Sequence, residues 1–224
     1  MNTIIFGILM AIAIYFSEKF TTKFSEHHVR MLSLSAGISI TYIFLDLFPQ
    51  FNASVIATDQ RLFLSVLVGF VLLHLVEKHI YQHTSKDVRK RELALADSSI
   101  SFIYHFIIGM LIVYLTNQSA VSGVLFFLPI LFYSTLSTLP VDPTSDTTVR
   151  LILSSSTLLG ILFATYLATD ISPVVNFSLL GLVIGVLLYT TIRHGIPQGK
   201  AGKPVYFVLG VMFYALLIFL TRGF

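Results

Sequence analysis

Residues 98–141 read SSISFIYHFIIGMLIVYLTNQSAVSGVLFFLPILFYSTLSTLPV and contain no Asp, Glu, Lys or Arg. A helix crosses the hydrocarbon core of a bilayer in about 20 apolar residues. This stretch is too long for one crossing, and the polar knot Thr116-Asn117-Gln118-Ser119 divides it into two. Working outward, similar runs recur along the whole chain. Met1 to Ser17 is closed by Glu18 and Lys19, Met31 to Pro49 is interrupted by Asp46, and Leu62 to Ile80 carries His74, Glu77 and Lys78. Three more follow beyond Asp142. The sequence therefore predicts an all-α polytopic membrane protein. It forms a single transmembrane domain of eight spans, at about 2–17, 31–49, 62–80, 98–116, 120–139, 151–169, 172–192 and 204–221. The first segment lacks the basic start and small-residue cleavage site of a secretory signal, so it is read as span one.

Composition excludes the main alternatives. Of 224 residues, 55% are hydrophobic and only 11% charged, with a mean hydropathy of +0.86. A soluble domain carries roughly 25% charged residues to keep its surface in water. Disorder requires low hydrophobicity and high charge. The absence of Cys removes disulfides, thiolate ligands and Cys nucleophiles. The net charge of +3 is small and its basic residues lie between the apolar runs, so no nucleic-acid partner is expected.

Those basic residues orient the chain. Loops after the odd spans hold 12 Lys and Arg, and the opposite side holds Arg61 and Arg222 alone. Basic loops stay in the cytoplasm. Both termini are thus expected outside, with His79 to Ala96 cytoplasmic, in a plasma or inner membrane. The sequons at Asn52 and Asn117 fall on the outer side, where they serve turns or, in a glycosylating host, accept glycans.

Ionisable groups inside lipid are costly and are functional candidates by default. Asp46 is either a solvated helix-end carboxylate or an intramembrane acid. His74 and Glu77 share a helix face, as an interfacial rim or as ligands. His105 is either a hydrogen-bonded packing residue or a ligand. Arg193 and His194 read as end residues that snorkel to the inner surface. At about 1.5 Å per residue, His74 and His105 fall at the same depth, where two imidazoles and the Glu77 carboxylate can bind a divalent metal or relay protons. Pro129 frees a backbone carbonyl in span five. Gly181 and Gly185 form a small-residue face for close packing. The hydroxyls of Ser134, Thr135, Ser137 and Thr138, and of Ser154 to Thr157, are available for bonds within the bundle. The zinc-protease His-Glu-x-x-His, the Gly-x-Ser-x-Gly elbow and a phosphate-binding loop are all missing, so no enzyme, no catalytic residue and no tightly bound cofactor is expected.

In order along the chain, several segments resemble the ZIP family of divalent-metal transporters. Ser35-Ala36-Gly37 followed by Asp46-Leu47-Phe48-Pro49 is similar to the second span of that family. Gly69 to His79, with Glu77-Lys78, is similar to its third. Gly185 to Tyr189 and His194-Gly195-Ile196-Pro197 are similar to its seventh. The resemblance implies inward movement of zinc or a similar divalent cation. His105, His74 and Glu77 would be ligands, Asp46 an outer-vestibule carboxylate, and the assembly compatible with a homodimer. The fourth-span motif keeps only His105 and the fifth only Pro129, with Phe126, Phe127 and Ile130 where ligands belong. The implied metal site is therefore reduced. A non-transporting homologue serving as partner or regulatory subunit, and a carrier of a non-metal solute beside Phe126 and Phe127, are the alternatives.

Overall fold

The computed structural model describes residues 2–23, 25–83, 86–136, 147–196 and 202–223. Among them every regular element is helical: α1 (Ile4–Lys23), α2 (Ser25–Tyr42), α3 (Phe48–Thr58), α4 (Phe63–His83), α5 (Lys86–Gln118), α6 (Ala120–Leu136), α7 (Thr147–Tyr166), α8 (Pro173–Thr190) and α9 (Pro204–Arg222). A π-helical segment, Ile43–Leu47, joins α2 to α3 as one continuous rod, and a second, Thr191–Gly195, extends α8. The described residues thus form eight rods. Five stretches are long and apolar enough to cross a bilayer: His27–Thr58, Gln60–Ile80, Ser98–Gln118, Pro173–Arg193 and Pro204–Arg222. Shorter apolar stretches occupy α1, α6 and α7. The chain is a helical membrane protein.

Two boundaries depart from the sequence reading. Most of the expected loop at 79–96 is helical, because α4 runs to His83 and α5 starts at Lys86. The segment Lys86 to Ala96 is built largely from strong helix formers, so polarity there does not mean irregular backbone. The second rod also continues past Pro49 to Thr58. Pro49 sits in the first turn after the π segment, where the hydrogen-bond ladder is already interrupted.

Packing divides the rods into two groups. α1, α5, α6 and α7 pack mainly on one another; α2 with α3, α4, α8 and α9 form the other group, and α2 against α6 is the main seam. The tightest pairs are closed by glycines. A Cβ on Gly37 would overlap the Phe207 carbonyl of α9, and one on Gly210 would overlap the Leu34 carbonyl of α2. Gly69 and Gly185 make the same reciprocal contact between α4 and α8, through the carbonyls of Leu182 and Val66. Gly109 and Gly160 do so between α5 and α7. In each case the carbonyl met lies three residues before the partner glycine. Backbone-to-backbone approach of this kind is how helices associate in lipid, where burial supplies no hydrophobic force between them. Outward, α4 and α9 leave apolar faces exposed, including Leu64, Leu67 and Leu75, and Val208, Met212 and Leu220.

The broken rods are copies of one pattern. Leu32, Leu34, Gly37, Pro49 and Gln50 recur at identical spacing as Leu180, Leu182, Gly185, Pro197 and Gln198. The π segments obey the same spacing, each starting six residues after its glycine. The copies run in opposite directions. α4 starts where α3 stops, across the short turn Gln60–Leu62. α8 is parallel to α4, since Ser65 meets Gly181 before their crossing and Glu77 meets Arg193 after it. The second rod and α8 are therefore antiparallel, and the repeat is inverted.

Candidate functional site

The π segments place charge inside the bundle. Asp46 lies in the first of them and is 4% exposed at its side chain. Its two oxygens accept from Arg222 of α9, from Nε at 2.8 Å and from Nη2 at 3.1 Å. Arg222 Nη2 also donates to Ser122 Oγ on α6 at 3.2 Å. This two-point pairing is the strong form of a carboxylate–guanidinium contact. Beneath it, the rings of Tyr42 and Tyr214 meet edge to face at 6.0 Å, and Phe126 packs on Tyr42. The Tyr214 hydroxyl donates to the Leu125 carbonyl at 2.6 Å. That carbonyl is the one Pro129 cannot bond, lying four residues before it. Pro129 therefore does free a polar group, and α9 satisfies it.

The second π segment carries Arg193, which reaches Glu77 of α4 at 2.9 Å through Nη2 and at 3.3 Å through Nε. Tyr189 donates to the other Glu77 oxygen. The Tyr189 ring lies edge-on to Phe70 and to His74. This pair is wetter, with Arg193 45% and Glu77 19% exposed at their side chains. Both halves thus join a broken helix to its glycine-paired neighbour, with the signs exchanged, although the repeat spacing matches Asp46 to His194 and not to Arg193. In one the broken helix carries the acid and its glycine-paired neighbour the base; in the other the order is reversed.

Their heights follow from one contact. Phe51 of α3 touches the position a Gly181 side chain would fill. Counting nine residues back from Phe51 and nine on from Gly181 brings Tyr42 and Thr190 to the same level, each immediately before its π segment. At about 1.5 Å per residue, Asp46 and Arg193 then lie roughly 5 Å to either side of that level. Each π segment packs against the other broken helix. Ser35 and Ser39 on α2 and Thr191 in the second π segment are essentially fully buried with no hydrogen-bond partner, as are the hydroxyls of Tyr104 and Thr116 on α5 and of Thr157 and Thr165 on α7. A hydroxyl left so costs about 1–3 kcal/mol.

The residues singled out in the sequence fall in three places. His105 is buried on α5, its Nδ1 against the Ser101 carbonyl at 2.8 Å and its Nε2 against Ser134 Oγ of α6 at 3.0 Å. His74 is exposed beside Tyr189. Glu77 pairs with Arg193, and Asp46 with Arg222. Among the described residues no group of three or more His, Asp or Glu is placed to hold a metal ion. Asp46 is not a solvated end group, because Arg222 and the surrounding rods enclose it. Arg193 does not snorkel freely, because Glu77 lies within reach on α4. Ser154, Ser155 and Ser156 bond their own helix backbone. Phe126 and Phe127 are filled in by Tyr42 and Phe6, so the apolar space expected beside them is packed core. Ser137, Thr138 and the side chains of Lys86 to Arg91 and His194 lie outside the described residues.

Arg222, Tyr214, Tyr189 and Thr191 escaped the sequence reading. Arg222 sits one residue past an apolar run and counted only towards orientation. The repeated Gly-to-Pro-Gln spacing was the signal able to expose the second π segment. No protein-family model matches the sequence, and no curated protein matches it.

Proposed function

We propose that this membrane protein is a carrier for a small uncharged polar solute, crossing the bilayer eight times with both termini outside. The observation that supports it is the inverted repeat, with a broken helix in each copy and both breaks near one level. Inverted repeats with discontinuous helices at mid-membrane are the common build of secondary transporters. The directions fit eight successive crossings: the second and eighth rods are parallel, as are the third and seventh, while the second and seventh are antiparallel. The basic residues, 12 against 2, favour the orientation.

The cargo follows from the inventory of interior groups. Near the two π segments Asp46 and Glu77 are matched by arginines, and the neutral hydroxyls of Ser35, Ser39 and Thr191 lack partners. Elsewhere His105 is engaged by Ser101 and Ser134, and His28 Nδ1 has no partner. Groups that donate and accept without charge suit an uncharged polar solute better than a cation stripped of its water. Of the readings the sequence leaves open, this is nearest the non-metal carrier, with the site moved from the packed Phe126 and Phe127 to the hydroxyls of the broken helices. Purified protein in liposomes tests it with a panel of radiolabelled polyols, sugars and amides. Saturable uptake of at least one is expected, with zinc, reported by an entrapped fluorescent chelator, entering no faster than in empty vesicles. Saturable zinc entry lost on His105→Ala would instead favour the divalent-metal transporter. Folded protein passing neither class would favour the non-transporting homologue.

A further inference from the structure

The two ion pairs share three properties. Each joins a π segment to the peripheral helix that its glycine crossing grips, each lies after that crossing, and the inverted repeat sets them on opposite sides of one level. Between them lies Thr191, directly past that level, while Ser39, three residues before Tyr42, lies level with Arg193 on the helix against which the second π segment packs. Both hydroxyls are buried and lack partners. A π turn is a place where a helix changes register at small cost, because its hydrogen-bond ladder already carries an extra residue. Movement of a π segment by one register step would separate its charged residue from the neighbouring helix, with the glycine crossing held as the pivot.

We propose that Asp46–Arg222 and Glu77–Arg193 are the two gates of one pathway, opened in alternation, and that Thr191 lines the solute site between them, with Ser39 at its Arg193 end. This rests on the carrier reading. With Asp46–Arg222 broken, the site opens towards the end of the bundle where α9 stops. With Glu77–Arg193 broken, it opens towards the end where α4 stops. The closed arrangement, with both pairs formed, leaves the hydroxyls sealed from both sides.

The absence of cysteine makes the test direct. A single Thr191→Cys, with Ser39→Cys as an independent reporter, is labelled by a membrane-impermeant thiol reagent in right-side-out and in inside-out vesicles. Arg222→Gln should raise labelling at least several-fold in one vesicle orientation, and Arg193→Gln in the other. The exchange D46R with R222D rebuilds the first pair with its sign reversed and should return labelling to the starting level. Both openings on the same side, or no change in either with the proteins folded, would overturn the gates. Solute uptake is measured on the same preparations. Opposite-sided labelling without uptake of any solute would leave the gate geometry standing and remove the carrier reading.

Discussion

The two ion pairs each tie a broken helix to its glycine-paired neighbour and differ in how dry they are. Asp46 is almost wholly enclosed, and Arg222 holds it at two points with Ser122 as a third partner. Arg193 is nearly half exposed, and its carboxylate partner also takes the Tyr189 hydroxyl. Arg222 meets both Asp46 oxygens whereas Arg193 meets one Glu77 oxygen. The unequal solvent adds to that difference, since a screened pair contributes little and a buried charge stripped of its partner is expensive. The first gate is therefore the stiffer, and the bundle should rest closed there while the second opens more readily.

The largest expected effect tests that inequality. Asp46→Ala leaves Arg222 without its counter-charge, and unfolding in mixed micelles should show a loss of about 3 kcal/mol, near the lower end for a broken buried pair. Glu77→Ala should cost about 1 kcal/mol or less. Equal losses would show that exposure does not separate the pairs. The glycines come next. Gly37→Ala and Gly185→Ala each drive a Cβ into a backbone carbonyl, so each should destabilise by about 1–3 kcal/mol. Because the crossings are equivalent, the two values should agree closely; a large difference would break the repeat as an energetic unit. Tyr214→Phe, which strips the Leu125 carbonyl of its donor, should cost about 1 kcal/mol, in line with hydrogen bonds between membrane helices. Restoring the helix with Pro129→Ala should cancel that cost in the double variant, and full additivity would refute the link. The smallest is Ser122→Ala, expected at about 0.5 kcal/mol, visible as slightly faster thiol labelling at Thr191→Cys on the Arg222 side.

Apolar run length made the rods legible, since lipid demands long uncharged helices and the chain supplies them. It misplaced ends wherever a polar stretch is a good helix former, as from Lys86 to Ala96. The charged residues were legible as candidates because their cost in lipid makes them conspicuous, which is how Asp46, Glu77 and His105 were singled out. Their partners were not, because pairing depends on the direction in which a side chain leaves its helix. Depth alone set His74 level with His105, whereas the rotation of α5 turns His105 towards Ser134. The π segments were invisible for a related reason: one extra residue in a turn leaves no mark on hydropathy, only on the spacing between the glycine and the proline that follows.

Pro129 has a consequence for the way the chain is made. Its substitution for an ordinary residue leaves the Leu125 carbonyl bare until a hydroxyl 89 residues further along arrives. Asp46 waits longer, for an arginine 176 residues downstream. At a synthesis rate of about 5–20 residues per second, these delays come to roughly 4–18 s and 9–35 s. Throughout them a carboxylate and a carbonyl that belong in the interior have no intended partner. The insertion machinery or surrounding water must shelter them until α9 is laid against α2 and α6. A ribosome stalled before Tyr214 would thus hold an unfinished bundle in which an interior carboxylate and an interior carbonyl face the same missing helix.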